Sequence, residues 1–83
     1  MYSKIDRVIE RNISRTIDEF LADISFSFRI STLNWSIGES YDAHLHNTDE
    51  KALYTEEGTH ILDFTLDDDG TLLSVGHINR SFF

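Results

Sequence analysis

Eighty-three residues, 40% hydrophobic, 12% aromatic and 27% charged, suit one globular domain over residues 1–83: enough apolar surface to offset ordering entropy, too little to enclose a deep active site. A formal net charge of −8 argues against direct binding to nucleic acid or an anionic membrane, because such a field repels both. Cysteine is absent, which excludes disulfide and thiol chemistry.

Charges interrupt every apolar run, so neither a signal-peptide core nor a membrane span is expected, and the expected location is cytoplasmic. The charge is unevenly placed. Residues 1–29 set Lys4, Arg7, Arg11, Arg15 and Arg29 against Asp6, Glu10, Asp18, Glu19 and Asp23, and are balanced. Beyond residue 30 only Lys51 and Arg80 oppose Glu39, Asp42, Asp49, Glu50, Glu56, Glu57, Asp63, Asp67, Asp68 and Asp69, so the whole imbalance lies there.

Ser3 followed by Asp6 reads as a capping box, which starts a helix near residue 3. Ile5, Val8, Ile9, Ile13, Ile17, Phe20, Leu21 and Ile24 then recur in steps of three and four, predicting one amphipathic helix of about six turns. The period becomes two at Phe26, Phe28 and Ile30 and resumes in the other phase at Leu33, Trp35 and Ile37. That shift predicts a strand with a bulge or bend near Ser31 and Thr32. Gly38 and Glu39 suit a two-residue hairpin turn returning as "SYDAHLH", with Tyr41, Ala43 and Leu45 facing the core. Residues 47–58 read as a loop holding a short strand or helical turn around Ala52–Tyr54.

The stretch "HILDFTLDDDGTLLSVGHI" predicts the last hairpin, with Asp67–Gly70 as a type I turn closed by a left-handed glycine. A calcium loop fails on the same residues, because it would place Thr65 at the first ligand and Gly76 where a bidentate glutamate is needed. Asp63, between Leu62 and Phe64, is expected to point outward beside Ile61 and Thr65. In "INRSFF", Phe82 and Phe83 are expected to close the core or, if the tail frays, to contact another chain with Arg80 as an ionic anchor. The fold class is therefore α+β: an N-terminal amphipathic helix on one face of an antiparallel sheet of about four strands.

No nucleophile elbow, phosphate-cradling glycine loop, dinucleotide fingerprint or Cys/His zinc spacing occurs. The run Gly38, His44, His46, Glu50, Gly58 resembles the first cupin motif, over about a quarter of the chain. The resemblance implies a metal held by His44, His46 and Glu50 inside a barrel, completed by a later histidine of a second motif. By strand spacing alone, His44 and His46 could chelate a metal with Glu50, His60 or His77 as third ligand. The closing glycine falls one residue late, the second motif's proline is missing, and too few strands follow to close a barrel. Strand alternation turns His44 and His46 outward with Asp42, so surface histidines, without metal or cofactor, are the expectation.

These features favour a small acidic, non-enzymatic protein-binding module of the inhibitor type. Immunity proteins that cover a nuclease toxin, and phage-borne inhibitors whose carboxylates stand in for phosphates at the nucleic-acid site of a host defence complex, are examples of that class. The expected partner is a basic protein surface, met by Glu56, Glu57, Asp67, Asp68, Asp69, Phe82 and Phe83. A small cupin-like metal enzyme and an oligomeric structural subunit are the alternatives.

Overall fold

A computed structural model describes residues 2–30, 35–39 and 49–83. Helices α1 (Lys4–Asn12) and α2 (Ile17–Phe28) precede strands β1 (Trp35–Glu39), β2 (Asp49–Thr55), β3 (His60–Leu66) and β4 (Leu72–Ile78), and a 3-10 turn follows at Arg80–Phe82. The class is α+β with an antiparallel sheet, in the order β1-β2-β3-β4.

At the start of α1 the Asp6 carboxylate accepts the Ser3 backbone N–H and the Ser3 hydroxyl, both at 2.8 Å. The expectation of one long helix is corrected to two. Thr16 opens α2, its hydroxyl accepting the Glu19 N–H at 3.2 Å and donating to the Glu19 carboxylate at 3.1 Å. Between the helices Ser14 takes a left-handed φ of 73°, which turns the backbone onto the sheet. There Ser14 N–H donates to the Leu72 carbonyl at 2.8 Å, Leu72 N–H to the Arg15 carbonyl at 2.7 Å, and Ile17 N–H to the Gly70 carbonyl at 3.0 Å. Bonds lost by breaking the helix are thus replaced along β4. The apolar stripe runs across the break because both helices contribute to one core.

The strand expected at Phe26, Phe28 and Ile30 is also corrected, since α2 continues through Phe28. Arg29 ends it at a left-handed φ of 56°, and Ile30 N–H returns to the Ser25 carbonyl at 3.1 Å. The shift expected at Ser31 and Thr32 lies outside the described residues, as do Leu33, Tyr41, Asp42, Ala43, Leu45 and both His44 and His46. Gly38 and Glu39 do not form a turn. They pair within β1 to Ala52 and Lys51, so the strand that β1 meets is β2. Of the short strand or helical turn expected within residues 47–58, the strand is what forms, and it runs for seven residues.

The core joins Val8, Phe20 and Ile24 of the helices to Leu53, Ile61, Leu62, Phe64, Leu66 and Leu72 of the sheet. Within β2–β3 the register slips: Leu53 faces Leu62, whereas Tyr54 faces His60. Ile61 is the extra residue, and both Ile61 and Leu62 are fully buried. This corrects the outward placement of Ile61. Asn12, the buried polar side chain, donates to the Val8 carbonyl and to Asp23 Oδ2, both at 2.7 Å. No described helix is long and apolar enough to cross a membrane.

Candidate functional site

The three aspartates of the last hairpin divide their work. Asp67 Oδ1 accepts the backbone N–H groups of Asp69 and Thr71, each at 2.9 Å, while Gly70 N–H donates to the Asp67 carbonyl at 3.1 Å. Gly70 sits at φ 76°, the left-handed position that the turn needs. Asp68 and Asp69 are exposed, and neither carboxylate has a hydrogen-bond or ion-pair partner. Glu56 and Glu57 are exposed likewise, in the β2–β3 turn, and no cation among the described residues pairs with them.

These sites do not form one patch. Successive turns of a meander lie at opposite ends of the strand between them, and seven residues of β3 separate the two turns by about 20 Å. Phe82 and Phe83 lie past the end of β4, beyond the Leu62–Ile78 pair, and both pack against the core. The Phe83 ring meets Phe28 edge-on at 5.0 Å. Arg80 donates to Asp6 Oδ1 and to the Ser3 hydroxyl, each at 3.2 Å, which ties the last turn to the first helix.

The acids of the helices differ from those of the turns. Arg11 grips Asp23 through Nε to Oδ2 at 2.7 Å and Nη2 to Oδ1 at 2.6 Å, and Ser27 adds a bond to Oδ1 at 2.8 Å. These bonds, the Arg11 guanidinium first among them, hold the Asp23 carboxyl well below the usual carboxylate range. The Ser3 backbone and hydroxyl donors, with Arg80 behind them, lower Asp6 to about 2. Arg15 lies 3.5 Å from Glu19, one helical turn on.

A second surface, which the residue pattern did not reveal, occupies the face of the sheet away from the helices. His60 Nε2 lies 2.6 Å from Asp63 Oδ1. Residues three apart on a regular strand point to opposite faces, and the extra residue at Ile61 brings these two to the same one. The His60 ring stacks on His77 at 5.4 Å and meets Tyr54 edge-on at 5.8 Å. Beside them a depression of about 280 Å³ is lined by Glu50, Asp63, Phe64, Thr65, Ser74, Gly76 and His77. Among the described residues no three His, Asp or Glu side chains are placed to hold a metal ion. On the helical layer, Lys4, Arg11, Ser25, Phe26, Ser27 and Arg29 line an open cleft around the exposed Phe26 ring.

Compared with models of protein families, with curated proteins and with solved structures, the chain matches none.

Proposed function

We propose that the chain is a non-enzymatic binding protein whose acidic half engages a basic surface of a protein partner. The observation that supports this reading is the contrast in pairing. Three of the five acids of the helical third, Asp23, Glu19 and Asp6, are held by Arg11, Arg15 and Arg80, whereas Glu56, Glu57, Asp68 and Asp69 all stand exposed without a cation. Turn formation uses Asp67 and leaves its two neighbours without a structural task. An unpaired, exposed carboxylate retains its field for a partner and accelerates encounter with a basic surface.

Within that class the reading is an inhibitor of the immunity-protein or phage-borne type, located in the cytoplasm, with carboxylates occupying positions that phosphates take on a nucleic-acid-binding target. The two acidic ends of the sheet are separated by a distance that suits a target with two basic patches. Phe82 and Phe83 serve the fold first, and contribute to contact only through their exposed edges.

The test is affinity capture from the source lysate at low salt, with wild type and with two double variants, Glu56→Gln/Glu57→Gln and Asp68→Asn/Asp69→Asn. A basic protein retained by wild type and lost by either variant supports the reading. Equal retention by all three, at unchanged folding, overturns it.

A further inference from the structure

Strand β4 ends the sheet, and its outer edge is only partly covered. The link between the helices pairs with Gly70 and Leu72 and goes no further along the strand. From Leu73 to Ile78 the outer edge has no backbone partner among the described residues. Proteins protect such edges with lysine, proline or inward-pointing charge. Here "LLSVGHI" contains no proline and no charged residue in a chain that is 27% charged, and Leu73 is 43% exposed.

The face beside this edge has a specific shape. Gly76 lies between the open edge and Asp63, and a Cβ placed on it would meet the Asp63 Cβ at 3.6 Å. The missing side chain leaves a passage from the edge to the depression, where Glu50 and the Asp63 oxygen not engaged by His60 supply the carboxylates. Side chains of adjacent strands on one face lie within contact distance. A residue opposite Gly76 on an added strand therefore lies over the glycine and, if long, reaches Asp63.

We propose that the free edge of β4 receives an extended segment of a basic partner protein as a fifth strand, with one arginine or lysine side chain laid across Gly76 toward Asp63 and Glu50. The proposal rests on the reading of the acidic half as a binding surface and names what that surface takes. Main-chain bonds to the edge supply affinity, and the depression supplies the preference for a cation. A second copy of the chain is a poor occupant, because it adds another −8 of charge and its own free edge, Leu73–Ile78, carries no lysine or arginine to lay across Gly76.

The experiment uses the full chain and a short capped peptide of alternating valine and arginine, followed by amide hydrogen exchange and NMR titration. Slowed exchange is expected at amides between Leu73 and Ile78. The same peptide N-methylated on its edge-facing amides should bind at least about tenfold more weakly, since it cannot donate to the strand. A valine–glutamate peptide should leave the spectrum unchanged. Gly76→Val should weaken binding about tenfold at an unchanged melting temperature, because its Cβ fits and its methyl groups close the passage.

Equal binding of the N-methylated peptide overturns the proposal, as does a response centred on Phe26 and Arg29. Concentration-dependent protection of β4 without peptide also overturns it, in favour of a second copy. If β4 ignores the peptide while Asp68→Asn/Asp69→Asn loses the natural partner, the edge proposal falls and the acidic-surface reading stands. If β4 binds the peptide and the turn variants keep the partner, the edge proposal stands and the turns are dispensable.

Discussion

The helical third and the sheet hold the same kinds of side chain and use them differently. In residues 2–30 acids are balanced by cations and three of the five are held: Asp23 by Arg11 and Asn12, Glu19 by Arg15, and Asp6 by Ser3 with help from Arg80, while Glu10 meets only the Tyr2 hydroxyl and Asp18 stands exposed. In residues 49–83 the exposed turn acids Glu56, Glu57, Asp68 and Asp69 have no such partners. Composition alone would call both regions charged. What separates them is whether a donor stands within hydrogen-bonding distance, which decides whether a carboxylate stabilises the fold or remains available to something else.

The comparison can be broken most severely from the core that both regions share. Phe20 is fully buried at the junction of helix and sheet, and Phe20→Ala should cost about 3–5 kcal/mol, read as a lower urea midpoint. An unchanged midpoint would separate the helices from the sheet. Next in size is Asp23→Ala, which removes the acceptor for Arg11, Asn12 and Ser27 at once. It should destabilise by about 1–3 kcal/mol by the same measurement, because Asn12 is buried beside it.

Acid should act on the helical region in a defined order. Asp6 is lowered from 3.8 to about 2 by its Ser3 donors, and Asp23 is lowered by Arg11, so both are more acidic folded than unfolded. Their stabilisation is complete above the unfolded carboxylate value and is lost as pH falls from there through the folded ones. Thermal melts from pH 5 to pH 2 should show this loss, and Asp6→Asn should remove its share of the slope. Smallest are the turn substitutions. Asp67→Ala removes two backbone bonds and should cost about 1 kcal/mol, while Asp68→Asn should stay within about 0.5 kcal/mol. Equal effects at the two positions would erase the division of labour within the turn.

Local chemistry made part of this legible from residues alone. The Ser3–Asp6 cap and the Asp67–Gly70 turn depend on residues within four positions of each other, and both stand as read. The apolar stripe named the helical contribution to the core except at Ile13, which is exposed in the link between the helices, and missed the break at Ile13–Arg15 because Ile9, Ile13 and Ile17 keep helical spacing across it. Thr16 with Glu19 carried the missing signal, a threonine N-cap with a glutamate three residues on. Phe26 and Phe28 imitated a strand because Ser25, Ser27 and Arg29 alternate with them, whereas in the helix Phe28 packs on the core and Phe26 is exposed. The pair His60–Asp63 was out of reach, since it exists only because β2 and β3 slip at Ile61, and register is a property of two strands. The free edge of β4 likewise depends on strand order, which no single stretch encodes.

The most direct measurement is the association rate with the captured partner as a function of ionic strength, for wild type, Asp23→Asn and Asp68→Asn/Asp69→Asn. Screening shortens to about 8 Å near physiological salt, so a rate driven by exposed carboxylates falls steeply as salt rises. The account predicts that Asp68→Asn/Asp69→Asn slows association at low salt and flattens the salt dependence at unchanged stability. It predicts that Asp23→Asn lowers stability and leaves the slope close to that of wild type. A turn variant with the wild-type slope, or a loss of slope confined to Asp23→Asn, would contradict the assignment of binding to the turns and of stability to the helices.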